Sequence, residues 1–328
     1  MSQNREHTSL RRVGAQSGDV APRLDVVFVH GLGGDGQATW GGGERESWLK
    51  WLTEDIPEIA VWALEYPAES TKWTSRGEGM AIPDRASNLI STLLYYGIGS
   101  RNTLYVCHSL GGLIVKQILR HSVEMAKPDW ACIADTTVGV AFLATPHSGS
   151  SLATFAKVVT ASRPTRTTLA LTAHCPHLKE LGDWYRQNAA RLGIETVAYT
   201  ESQKLRGTFR SFTVVTATSA DPGVDGCIAT SIDADHVSIA KPRSREHDTY
   251  RGVETFIRRQ VAKHFVTSDE HSVAEAPETP AFTTPPPPPD LVRQIRELQA
   301  MRELDLLDGG EVSAVKMGIL NNYYGVRR

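Results

Sequence analysis

The chain has 328 residues, with 35 Lys and Arg against 37 Asp and Glu and a formal net charge of −2. That balance excludes the basic face a nucleic-acid partner requires, while the length admits a sizeable core and a small second unit. The four cysteines, Cys107, Cys132, Cys175 and Cys227, follow neither a CxxC nor a metal-ligand spacing and read as core thiols of a reducing compartment.

Residues 1–23 are polar, lack the apolar stretch of a signal peptide and read as a disordered leader. No apolar run approaches the about 20 residues of a membrane span, so the sequence reads as soluble and cytoplasmic, with peripheral contact with lipid left open. From Leu24 the pattern changes. LDVVFVH is a continuous apolar run, as expected of a parallel strand covered on both faces. The glycine loop GLGGDG follows, and then ESWLKWLTEDI, with Trp48, Leu49, Leu52 and Ile56 at helical spacing. Strand and helix alternate further in VWALEY, DRASNLISTLLYYG, TLYVC, LGGLIVKQILRHSVEMA and TVGVAFLATP. This alternation predicts an α/β domain over residues 24–265, with a mostly parallel sheet and helices on both faces.

Residues 148–193 break the rhythm with Thr/Ala-rich helical sequence and read either as a cap over the site or as crossover helices. IETVAYT and FTVVTAT read as two further strands, followed by an aspartate-rich loop carrying His236 and a last helix, TYRGVETFIRRQVAKHF. Residues 266–290 hold a run of prolines that builds no core and reads as a linker. Beyond it, residues 291–328 carry Leu291, Ile295, Leu298 and Met301 and then Val312, Val315 and Ile319 at helical steps. Such a short helical hairpin cannot bury its stripe alone, so residues 291–320 are expected to self-associate or to meet a protein partner.

Chemistry is signalled by LYVCHSLGG, where an apolar strand runs into a serine and then into small residues. A serine hydroxyl needs a base to take its proton and a position from which it meets substrate. A strand-to-helix turn puts Ser109 at a strained, solvent-facing tip, with small residues two positions before and after it. Gly111 fills the later position, and Cys107 stands where the G-x-S-x-G pattern has its first glycine. The Leu110 amide at the helix start is the first candidate oxyanion donor, and the Leu32 amide in VFVHGLGGD is the second. GLGGDG is neither G-x-G-x-x-G nor a P-loop, which disfavours nucleotide binding.

Of the histidines, His30 belongs to the glycine loop, strand alternation turns His108 away from the serine, and His147 in TPHSGS shapes the pocket. The chain order serine, acid, histidine selects His236 in SIDADHVSIAKP as the base. Two carboxylates compete for the third role. Glu201 ends IETVAYT and is favoured by a modest margin, while Asp221 in TSADPGVDG lies closer in sequence to His236; Asp235 reads as a loop-shaping residue.

VFVHGLGGD, TWGGG with SWLKWL, CHSLGGLIVKQIL, FLATPHSGS, YTES, TSADPGV and DADHVSIAKP, in that order, make the chain resemble the α/β-hydrolase superfamily. Within it, the match is to the serine active site-containing (SERAC-type) branch of lipase-like hydrolases. The resemblance implies a nucleophile at Ser109 and a base at His236; its strand-terminal glutamate matches Glu201 and its later aspartate matches Asp221, so the acid stays open. It also implies lipid ester hydrolysis and phospholipid remodelling. The expected activity is thus a serine esterase or lipase, extending to phospholipase, that needs no metal or cofactor. Two alternatives stand beside it: a hydrolase-like effector or scaffold in a signalling or defence assembly controlled by the C-terminal hairpin, and an amidase, thioesterase or acyltransferase with the same triad.

Overall fold

A computed structural model describes residues 8–14, 21–32, 34–41, 47–67, 81–147, 175–206, 211–212, 215 and 217–265. The chain divides into two units, Met1–Glu270 and His271–Arg328; the proline linker and the hairpin read at 291–328 lie outside the described residues.

In chain order the first unit holds β1 (Ser9–Val13), β2 (Leu24–Val29), a 3-10 turn at Ala38–Trp40, α1 (Trp48–Asp55), β3 (Ile59–Glu65) and α2 (Ile82–Tyr95). Then come β4 (Thr103–His108), α3 (Leu110–Glu124), α4 (Pro128–Asp135), β5 (Thr137–Leu143), α5 (Cys175–Asn188) and β6 (Glu195–Glu201). The short pair β7 (Leu205–Arg206) and β8 (Ser211–Phe212), α6 (Ala217–Ala220), β9 (Thr230–Ile232), a 3-10 turn at Ser238–Ala240 and α7 (Asp248–Phe265) complete it.

Seven strands form one sheet in the order β1-β3-β2-β4-β5-β6-β9, and only β1 at the edge runs antiparallel to its neighbour. All six residues of β2 and all seven of β5 are buried, as strands covered on both faces must be. Val27, Val29, Tyr105, Cys107, Val140 and Phe142 face a core built with α2, α3, α4 and α5. Val26, Phe28, Leu104, Val106, Ala141 and Leu143 face the opposite core with α1 and α7. Each such fully buried side chain contributes about 1.5–3 kcal/mol relative to an exposed one, so both layers are needed to hold the sheet. This is the mostly parallel α/β architecture with helices on both faces expected from the alternating pattern.

Two short segments depart from the sequence reading. Within the expected leader, Ser9–Val13 pair with β3 from Ser9 against Glu65 to Val13 against Val61, because Leu10 and Val13 bury themselves at the sheet edge. Of FTVVTAT, read as a strand, Phe212 ends β8 and Ala217 and Thr218 open the α6 turn, while residues 213, 214 and 216 lie outside the described residues; the sheet ends on the three-residue β9 in the aspartate loop. Of the span 148–193, residues 148–174 lie outside the described residues. The rest holds α5, a crossover helix that buries Leu178, Leu181 and Tyr185 against the core. Among the described residues no helix is long and apolar enough to cross a membrane.

The topology fixes where a site forms. From β2 the chain moves to β3 on one side and then returns to β4 on the other. Loops leaving the C-terminal ends of β2 and β4 therefore separate there and leave a crevice, the place where open α/β sheets hold ligands.

Candidate active site

A strand-to-helix elbow with Ser109 at its turn forms where β4 meets α3. Ser109 has φ 54° and ψ −124°, a left-handed-side conformation that costs a serine about 1–3 kcal/mol and persists only under surrounding constraint. The constraint is visible: the Ser109 amide donates to the Leu143 carbonyl at 2.9 Å, and the Gly112 amide donates to the Ser109 carbonyl at 3.1 Å. At Gly111 a β-carbon would stand 2.3 Å from the Val29 carbonyl oxygen and 2.6 Å from that of His30, so the first turn of α3 fits against the end of β2 only without a side chain. Cys107, the departure from the glycine pattern, points instead into the core beside Val29 and Phe142, where a small side chain has room.

The loop after β2 closes on the serine. A β-carbon at Gly31 would lie 2.8 Å from the Ser109 β-carbon, which places the following residue, Leu32, beside that serine. Tyr66 stacks on the His30 ring at 4.2 Å, and its hydroxyl donates to the His30 carbonyl, so the loop is pinned at its root. The Leu110 amide heads α3, where the first backbone N–H groups have no partner within the helix. Ser109 itself is only 2% exposed, against the expectation of a solvent-facing tip. The Gly31 loop and His236 stand over it, so the elbow protrudes from the sheet without reaching bulk water.

His236 lies four positions past the end of β9 (Ile232) and brings Nε2 to 3.1 Å from Ser109 Oγ. Its Nδ1 stands 2.7 Å from Glu201 Oε2. The other Glu201 oxygen accepts the Val215 amide at 2.9 Å, so the carboxylate at the tip of β6 is fixed through both oxygens. Both residues are buried. With Glu201 at Nδ1, that nitrogen donates and Nε2 is left with a lone pair toward the hydroxyl, the arrangement a general base requires. Of the two candidate acids, Glu201 reaches the ring; Asp221 is exposed, and its carboxylate accepts the Gly223 amide at 2.8 Å.

Asp235 holds the shape of the His236 loop. Its Oδ1 accepts the Val237 amide at 3.0 Å and the Ser238 amide and hydroxyl at 2.8 Å each. Burial acts to raise its pKa, but these donors outweigh burial and hold the carboxyl below its ordinary range. Trp48 in α1 donates to the Ala240 carbonyl at 3.1 Å and ties the end of that loop to the hydrophobic layer beneath.

Two histidines have partners that the sequence reading does not name. His147 is buried: Lys116 Nζ donates to its Nδ1 at 2.8 Å, and burial together with the lysine charge holds the imidazole well below its ordinary pKa. His108, set aside by strand alternation, stands 2.8 Å from the main-chain carbonyl of His236. Alternation does turn its side chain to the face opposite Cys107, but the His236 loop crosses that face, which no local pattern reports.

No family model matches the chain. It is similar to the protein SERAC1 of Homo sapiens, 29% identical over 262 residues, a match that takes in 74% of this chain and 39% of that protein. SERAC1 of Danio rerio is 29% identical over 259 residues, covering 72% of this chain and 39% of the relative. The chain thus spans well under two thirds of these curated relatives. Among solved structures, it is similar to a carboxylesterase from Nitrososphaera gargenis, with 12% identity, coverage of 78% of this chain and 95% of that one, and a TM-score of 0.47.

Proposed function

We propose that the chain is a member of the SERAC-type branch of the α/β-hydrolase superfamily and a serine hydrolase cleaving carboxylic esters, with lipid esters as its substrate class. The observation that supports the reading is the continuous relay of 3.1 Å from Ser109 Oγ to His236 Nε2 and 2.7 Å from His236 Nδ1 to Glu201 Oε2. In this mechanism Ser109 Oγ attacks the ester carbonyl carbon while its proton passes to His236 Nε2. Glu201 stabilises the imidazolium that results. The oxyanion is held by the amides of Leu110 and Leu32, the first strengthened by its place at the start of α3.

Collapse of that intermediate breaks the bond to the alcohol oxygen, which takes the proton from His236 and leaves an acyl group on Ser109. Water then loses a proton to His236 and attacks the acyl carbon, releasing the acid and restoring the serine. Every proton is returned, so the cycle calls for no other co-reactant.

A fluorophosphonate probe tests this reading, applied to the full chain and to Ser109→Ala and His236→Ala, with the modified peptide identified by mass spectrometry. Labelling at Ser109 that is absent from the first variant and greatly slowed in the second is the expected result, followed by hydrolysis of short-chain p-nitrophenyl esters and of dispersed phospholipid. Hydrolysis at the wild-type rate by folded Ser109→Ala overturns it.

A further inference from the structure

The proposed relay explains what holds the His236 ring, through Glu201 and Ser109, but not what holds its main chain. Its carbonyl is one of the few groups of the loop that the Asp235 turn does not engage, since that turn gathers the Val237 and Ser238 amides. The donor is His108, whose Nε2 lies 2.8 Å from the His236 carbonyl oxygen. A carbonyl only accepts, so the proton sits on His108 Nε2 and the tautomer is fixed. The His108 ring lies 5.0 Å from the His236 ring at a 45° tilt and meets Trp40 edge-on at 6.4 Å, so its own orientation is set by packing.

We propose that His108 is a positioning residue for the base: it ties the main chain of His236 to the residue preceding the nucleophile, so that Ser109 and His236 take their relative position from one strand end. This inference rests on the serine hydrolase reading. Three strand ends then converge on one imidazole, with β4 holding its main chain through His108, β6 holding Nδ1 through Glu201, and β9 delivering the loop. Burial first, and then the neighbouring charge of a protonated His236, push the His108 pKa down to about 3. The ring therefore stays neutral when His236 becomes an imidazolium, and the tie persists through the cycle. Loss of the tie frees the loop to move, and a shift of about 1 Å at a reacting group lowers a rate about 100-fold.

The test separates the donor from the ring. His108→Gln keeps an N–H that can reach the carbonyl, whereas His108→Phe keeps the edge-on ring contact with Trp40 and loses the donor. For hydrolysis of a p-nitrophenyl ester, the phenylalanine variant is expected to lose about 100-fold in kcat with KM little changed, and the glutamine variant to recover most of that loss. The same order is expected in the rate of fluorophosphonate labelling and in retention of the downfield proton on His236 Nδ1 by NMR.

Equal rates in the wild type and His108→Phe, or a better rate in His108→Phe than in His108→Gln, overturn the inference. If the wild type does not label at Ser109, the hydrolase reading falls by itself, and the Nδ1 proton, which needs no turnover, still decides whether His108 positions His236. If neither variant folds, the nitrogen-15 spectrum of wild-type histidines decides: a neutral ring protonated on Nε2 at pH 5 is required, and protonation on Nδ1 overturns the inference.

Discussion

Two histidines of this molecule occupy matching places and have opposite chemistry. His147 lies four positions past the end of β5 (Leu143), and His236 four positions past the end of β9 (Ile232). Both are buried, and each has a charged side chain against Nδ1, at 2.8 Å for Lys116 and 2.7 Å for Glu201. The carboxylate makes Nδ1 a donor and turns the Nε2 lone pair toward Ser109. The lysine makes Nδ1 an acceptor, and burial together with its charge keeps His147 neutral well below the ordinary histidine range. On the proposed mechanism, a buried histidine at the rim of the sheet is thus a base or a spectator according to the sign of one neighbour.

The contrast breaks most completely at the nucleophile. On the proposed mechanism Ser109→Ala removes the atom that His236 serves and lowers kcat on the order of 10⁴- to 10⁶-fold, with a melting temperature close to that of the wild type because alanine keeps the backbone conformation and its strain. Steady-state hydrolysis beside thermal unfolding reads both. Glu201→Gln comes next. It keeps the shape but takes away the charge that distinguishes His236 from His147, and an expected loss of about 10⁴-fold in kcat follows from the wrong tautomer. Asp221→Asn, whose carboxylate meets only the Gly223 amide among the contacts of the described residues, is expected to stay within about threefold of the wild type on the usual scale of surface changes. The reverse order in this pair would move the acid to Asp221.

The sequence discloses these neighbours unequally. LDVVFV and TVGVAFL read as strands covered on both faces because nothing in them alternates, and both are buried throughout. The juxtaposition of Ser109 and His236 is legible because an elbow has a short-range pattern and the order serine, acid, histidine runs along the chain. Glu201 and Asp221 both end strand-like runs, and only the pairing of β6 with β9, from Tyr199 against Thr230 to Glu201 against Ile232, brings one of them to His236. FTVVTAT misleads for a related reason: its β-branched residues suit a strand, yet the Val215 amide is used to hold Glu201. Lys116 lies in a helix read only for its apolar spacing. That it is fully buried, over the rings of Tyr185 at 4.8 Å and Phe142 at 5.3 Å, follows from α5 packing beside α3.

That lysine gives the smallest effect and the sharpest test of the comparison, because it is read in stability rather than turnover. Burial, and after it the charge of Arg186, push the Lys116 pKa down to about 7, whereas in the unfolded chain it titrates near 10.4. Between those values the unfolded state binds a proton that the native state does not, so stability rises with pH across this window. Below pH 7 both states are protonated and the burial penalty is constant; above the unfolded pKa it is gone. Lys116→Met keeps the volume and removes the titration. Urea unfolding of both proteins from pH 6.5 to 10 is therefore expected to show the wild type gaining on the variant by up to about 1.4 kcal/mol per pH unit, while hydrolysis measured at pH 8 changes less than threefold. A difference that stays flat over that range would mean that the faces of Tyr185 and Phe142 keep the ammonium charged, and His147 would then owe its neutrality to a permanent cation rather than to burial shared with a lysine that gives up its proton.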